Sequence, residues 1–96
     1  MSDRREQLEK LLGADPGDAF VTYALAMEHL KHGEPERAIP WLDRTLEIDP
    51  ATHYAYFQKA KAYQALGRMD DALAAADAGV NSATVAGDAK ALGELQ

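Results

Sequence analysis

The chain contains no cysteine. Disulfides, thiolate nucleophiles and cysteine-ligated zinc are excluded, although the lack of thiols does not by itself fix the redox compartment. Long apolar runs are missing too: nothing approaches the roughly 20 consecutive residues that cross a bilayer as a helix. The opening MSDRREQLEK has no apolar core of the kind a signal peptide needs. A cytoplasmic location is the expectation. Positive charge is scarce, with 10 Lys+Arg against 16 Asp+Glu and a formal net charge of -6. The acidic residues are spread along the chain, so phosphate repulsion argues against nucleic acid, and an anionic membrane surface meets the same objection. Serine nucleophiles are limited to Ser2 and Ser82, and the glycines form no phosphate-cradling loop. With no nucleophile, base and orienting group in sight, the chain is not expected to be an enzyme or to hold a cofactor.

What is present is the composition of an ordered protein. Hydrophobic residues make up 47% and charged residues 27% of 96, enough for one domain with a limited core. The chain also repeats itself. Asp15-Pro16 returns as Asp49-Pro50 and Gly33 returns as Gly67, in each case thirty-four residues on. Superposing 19–52 on 53–86 sets Ala26 on Ala60, Ala38 on Ala72, Leu46 on Val80, and Phe20 and Tyr23 on Tyr54 and Phe57. Inside each unit the apolar residues recur at three and four, as in Tyr23, Ala26, Met27, Leu30 and in Ala38, Leu42, Leu46, which is helical spacing. Each unit reads as a pair of helices. Gly33 and Gly67 stand where the first helix must stop, Pro35 is suited to the first position of the next, and Pro16 and Pro50 punctuate the turns between units. No segment alternates like a strand. Pro40 is the local conflict, since it falls about a turn into a helix, and it predicts a mild bend or a shortened helix there.

These residues carry a resemblance to the tetratricopeptide repeat, whose 34-residue period has large, small and aromatic slots ending in proline. Leu25, Ala26, Gly33, Ala38, Leu42, Leu46 and Pro50 fill the slots of the first unit, while Thr22 and His29 replace aromatics and Thr45 replaces an alanine. In the second unit Tyr56, Ala60, Tyr63, Gly67 and Ala72 fit, but Lys59 stands for leucine, Ala76 for an aromatic and Thr84 for proline. The resemblance implies an all-α fold, a short right-handed solenoid of antiparallel helix pairs with terminal capping helices. Residues 1–18 read as the second helix of a preceding unit, 19–52 as repeat one, 53–86 as repeat two and 87–96 as a C-terminal cap with a helix over Ala89–Leu95. Ala26, Ala38, Ala60 and Ala72 are the expected points of close helix contact. Tyr63 is expected to bury its ring between paired helices, with His29 in the corresponding slot of the first unit.

The resemblance also implies a function, because in this family the first helix of each pair lines a concave groove that receives a peptide. Here that face carries Phe20, Tyr23, Met27 and Leu30 with Lys31 at its edge, then Tyr54, Phe57, Lys61 and Gln64. An aromatic groove with a cationic patch suits an apolar peptide segment, with Lys61 placed to hold a carboxylate. The expected partner is another protein or peptide, bound without catalysis. The carboxylate clamp that some members use on chaperone tails is not expected, since Tyr23 and Met27 occupy positions where it needs lysine and asparagine. The alternatives are that the stripe is ordinary core, that the module self-associates as a homodimer through the groove or end to end, or that the chain is a fragment of a longer array. His29 and His32 lie three apart with Glu28 adjacent, a spacing that can serve a metal, but no third ligand is evident and no metal is expected.

Overall fold

The computed structural model describes residues 3–85. In chain order they form α1 (Asp3–Ala14), α2 (Ala19–Lys31), α3 (Pro35–Ile48), α4 (His53–Ala65) and α5 (Met69–Val85). No strand occurs among the described residues, and the fold is all-α. The most extensive contacts join α2 to α3 and α4 to α5, followed by α3 to α4 and then α1 to α2. The molecule is thus a stack of two helix pairs preceded by one further helix. The proposed terminal helix over Ala89–Leu95 lies outside the described residues.

The repeat in the sequence becomes a repeat of turns. Gly33 and Gly67 have φ of 71° and 74°, the left-handed region that side chains with a Cβ avoid. At each the helix closes in the same way: Gly33 N–H donates to Leu30 O and Glu34 N–H to His29 O, while Gly67 N–H donates to Gln64 O and Arg68 N–H to Tyr63 O. This pair of bonds satisfies carbonyls that a helix C-terminus otherwise leaves open. The two Asp-Pro turns match as well, because the Asp15 carboxylate accepts from Gly17 N–H and the Asp49 carboxylate from Ala51 N–H, each at 3.1 Å. Asp18 then caps α2 by accepting from Phe20 and Val21 N–H.

Ala26, Ala38, Leu42, Leu46 and Ala55 form one buried cluster across α2, α3 and α4. Leu8, Val21, Ala24 and Leu25 form a second across α1 and α2. Trp41 packs against both and joins them. Of the four alanines expected at close contacts, Ala26, Ala38 and Ala72 are buried, whereas Ala60 is only half-buried. Tyr63 also departs from expectation. Its ring is half-exposed rather than enclosed, and the Arg68 guanidinium lies over it at 5.0 Å. His29 is buried as expected, with Nδ1 3.0 Å from a Glu34 carboxylate oxygen.

The shortened helix expected at Pro40 is not found. Helix α3 continues from Pro35 to Ile48 with Pro40 inside it. Pro40 is exposed, so its ring meets no packed neighbour from another helix, and the one backbone bond it removes is that to Glu36 O, near the start of the helix. Lys59, which stands where the family has leucine, is accommodated by charge: its Nζ lies 2.6 Å from Asp43 of α3 and 6.0 Å from the Tyr56 ring centre.

Thr22 and Thr45 are each fully buried and their hydroxyls are 2.8 Å apart. Thr22 Oγ1 is also within reach of Ala19 O, and Thr45 Oγ1 of Trp41 O. One proton per hydroxyl means that one threonine donates to the other, which in turn donates to its own helix carbonyl. The two departures from the family pattern in α2 and α3 are therefore one feature: volume lost at an aromatic slot is partly returned at an alanine slot, and the new polar atoms satisfy each other.

Helix α1 is held by charge as well as by Leu8. Arg5 donates to Glu34 at 2.8 Å, and Arg4 lies 3.7 Å from Glu28, whose side chain is largely buried. Hydrogen bonding from His29 is the main influence holding the Glu34 carboxyl below the usual glutamate range; burial opposes it, and the Arg5 charge and hydrogen bond add to the lowering.

Two outcomes follow. Thr22→Val costs about 1 kcal/mol in denaturant unfolding and Thr22→Val/Thr45→Val recovers part of that loss, because the pair is then wholly apolar; additive losses would contradict the mutual bond. Because the folded Glu34 pKa is depressed, its contribution is fully present above the unfolded value and declines as pH falls through the folded one. Acid titration of wild type and Glu34→Gln should therefore converge at low pH, and a constant difference would contradict the assignment.

Candidate functional site

The first helices of the two pairs, α2 and α4, carry the nine residues singled out from the sequence. The structure divides them. Phe20 is 74% exposed and Tyr54 51%, and Lys31, Lys61 and Gln64 are exposed. Tyr23, Met27, Leu30 and Phe57 are half-buried. Tyr23 and Leu30 pack against the central cluster, so those two serve the core at the same time as they border the face. Neither full burial nor full exposure describes the stripe.

The two halves meet through aromatic rings. Tyr23 of α2 and Tyr54 of α4 stand edge to face, with centroids 5.0 Å apart and planes at 84°. That arrangement sets the positive edge of one ring against the negative face of the other. Burial raises the Tyr23 phenol pKa, the neighbouring Tyr54 raises it further, and a hydrogen bond with Gln58 opposes them. Farther along α4, Phe57, Lys61 and Gln64 line an open cavity of about 330 Å³ with Met69, Leu73 and Ala76 of α5. Phe20, Met27, Leu30 and Lys31 do not line it. Its walls are apolar apart from Lys61 and Gln64, which suits an apolar side chain with a polar group at the rim.

The Phe57 ring has its place because of a glycine. A Cβ built on Gly79 of α5 would lie 2.7 Å from Phe57 Cζ, inside any normal contact distance. Glycine within a helix costs roughly 1 kcal/mol relative to alanine. Gly79 is not singled out from the sequence, although an isolated glycine inside a helical pattern is a signal of close approach.

A larger cavity of about 630 Å³ lies elsewhere, among Asp49, Pro50, Ala51, Tyr56, Asn81, Ser82 and Val85. Asp49 is engaged in its own turn, and the Ser82 hydroxyl donates to Pro50 O. This arrangement ties α5 to the inter-unit turn and provides no base for a nucleophile. His29 and His32 do not converge: His29 faces Glu34, and His32 Nε2 lies 4.0 Å from Glu28. Among the described residues no three potential ligands gather around a common point.

Comparison with known proteins agrees with the geometry. The family described as anaphase-promoting complex, cyclosome, subunit 3 matches residues 7–78, three quarters of the chain. A TPR repeat-containing protein from Pseudomonas aeruginosa is 33% identical over 90 residues, covering 94% of this chain and 86% of that one. The chain belongs to the tetratricopeptide-repeat family. The crystal structure of MamA superposes with a TM-score of 0.84 over 88% of the chain at 21% identity, which supports the solenoid fold alone. This tetratricopeptide chain spans about half of MamA's length. The fold is that of a protein-interaction or scaffold module, and no helix among the described residues is long and apolar enough to cross a membrane.

Gly79→Ala should lower the unfolding midpoint in the wild-type background, since the new methyl displaces Phe57. In a Phe57→Ala background the same change should stabilise by up to about 1 kcal/mol as helix propensity asserts itself. Equal effects in both backgrounds would show that the ring and the glycine are not coupled.

Proposed function

We propose that the α2/α4 face binds a segment of another protein without catalysis, the segment being apolar with a carboxylate near it. The observation that carries this reading is the exposure of Phe20 and Tyr54 on the face that also bears Lys31 and Lys61. Two large rings in water are a cost to a lone protein and a source of affinity for one with a partner. Neither lysine makes an ion pair among the described residues, so both are available to an anionic group. The half-buried Tyr23 and Phe57 give the face a fixed floor, which limits the ordering cost on binding. The homologous repeat-containing protein and the family match support interaction with protein as the general role. The absence of nucleic-acid or membrane partners belongs to the same proposal, resting on the net charge of -6, and a cytoplasmic location is proposed with it.

A second reading, self-association, is supported by a different observation. Helix α5 presents Met69, Leu73 and Val80 to solvent.

The test of the first reading uses two exposed rings that belong to neither buried cluster. Wild type and Phe20→Ser/Tyr54→Ser, matched for helicity by circular dichroism, are used to capture proteins from the source cell's extract. A protein retained by wild type and lost by the variant, and then shown to bind in purified form, supports the groove. Identical captures by the two baits, or no capture, remove its support.

A further inference from the structure

The two units can be compared with each other, because the same slots recur at a spacing of thirty-four. In α3 the slots Ile39, Leu42 and Leu46 are 9%, 0% and 9% exposed. Leu42 and Leu46 share a buried cluster with Ala55 of α4, the helix that follows. In α5 the same slots are Leu73, 65% exposed, Ala76, half-buried, and Val80, 41% exposed. Met69, 52% exposed, extends the row by one turn. Among the described residues, unit two therefore leaves to solvent the stripe that unit one buries, and stacked repeats depend on neighbours to cover such faces.

We infer that this stripe is an interface with a second copy of the same chain, the two α5 helices lying side by side and parallel about a twofold axis. The inference rests on the self-association reading and not on the peptide-binding one. Met69, Leu73, Ala76 and Val80 follow a spacing of four, three and four, the seam of a two-helix contact. With a twofold parallel to the helices, each residue of the seam meets its own counterpart, and Ala76 allows close approach at the centre.

Charge decides both the occupant and its direction. One edge of the seam is acidic, with Asp70 and Asp77 each one residue beyond Met69 and Ala76. The other edge is the α4 side, where Lys61 borders the cavity containing Leu73 and Ala76. None of Lys61, Asp70 and Asp77 makes an ion pair among the described residues. A twofold parallel to α5 exchanges the edges, so the Lys61 edge of each copy faces the Asp70/Asp77 edge of the other. An antiparallel pair would set acidic edge on acidic edge and lysine on lysine. The chain thus carries both halves of a complementary pattern, which a second copy supplies in register.

Sedimentation equilibrium of the full chain over a wide concentration range tests this. The expected result is a mass that rises from 10.4 kDa to twice that value. Leu73→Glu and Val80→Glu, each with unchanged helicity, should remain monomeric. Lys61→Asp should weaken association about tenfold, by two reversed pairs per dimer, and Lys61→Asp/Asp77→Lys should restore it. Phe20→Ser/Tyr54→Ser should still dimerise, which separates this outcome from that of the groove. A monomer mass at every concentration overturns the proposal, and so does a dimer indifferent to Leu73→Glu. A double exchange no better than Lys61→Asp overturns the parallel arrangement.

Discussion

The helices of the stack bury small side chains where they pack on one another. Ala26, Ala38, Ala55 and Ala62 have no solvent exposure, and each belongs to a helix that packs on at least one neighbour. An alanine contributes little apolar area of its own, but it lets two backbones approach until the larger residues beside it interlock. Leu25 and Leu42, both fully buried, supply the area that alanine does not. Trp41 then links the α1–α2 cluster to the α2–α4 cluster, so α1 is part of the same packed body and not a loose leader to it. Every other feature depends on this close approach. The turns at Gly33 and Gly67 reverse the chain tightly enough to permit it, and Gly79 takes it further by admitting the Phe57 ring.

The fold was legible because its markers are of the kind that local chemistry dictates. A positive φ asks for glycine, a first helical position tolerates proline, and an Asp-Pro turn uses its carboxylate to hold the next amide, so Gly33, Gly67, Pro35, Asp15 and Asp49 state their roles before any packing is known. Pro40 was only partly legible, since the helix is not shortened at it, and the reason is the opposite one. Its cost depends on how far into the helix it falls and on what lies beneath it, and both are settled by tertiary position. Thr22 and Thr45 looked like two separate erosions of the repeat. They are twenty-three residues apart and only the packed pair shows that each explains the other. Tyr63 was assigned a buried ring by its slot, but the small residues of α5 opposite leave it half-open, and Arg68 covers it instead.

The candidate site was legible as a set and not as an arrangement. Spacing at three and four placed the nine residues on two helices, and it could not say that Tyr23 and Leu30 would spend much of their surface on the core. Nor could it separate the cavity beside Phe57 and Lys61 from the ring contact of Tyr23 with Tyr54. Periodicity ranks a residue by face, whereas exposure is set by whether the next element in the chain covers that face. The same limit hid the stripe on α5: its apolar slots match those of α3, and among the described residues only α3 is followed by a helix that covers them.

The molecule is thus two copies of one packing problem, solved within the chain for α3 and left open among the described residues for α5. Residue-resolved hydrogen exchange as a function of protein concentration tests that claim most directly. The account predicts that α3 amides are strongly protected at every concentration, while α5 is less protected in dilute solution and gains protection as concentration rises. Equal protection of α3 and α5 in the most dilute sample, unchanged on concentration, would contradict it.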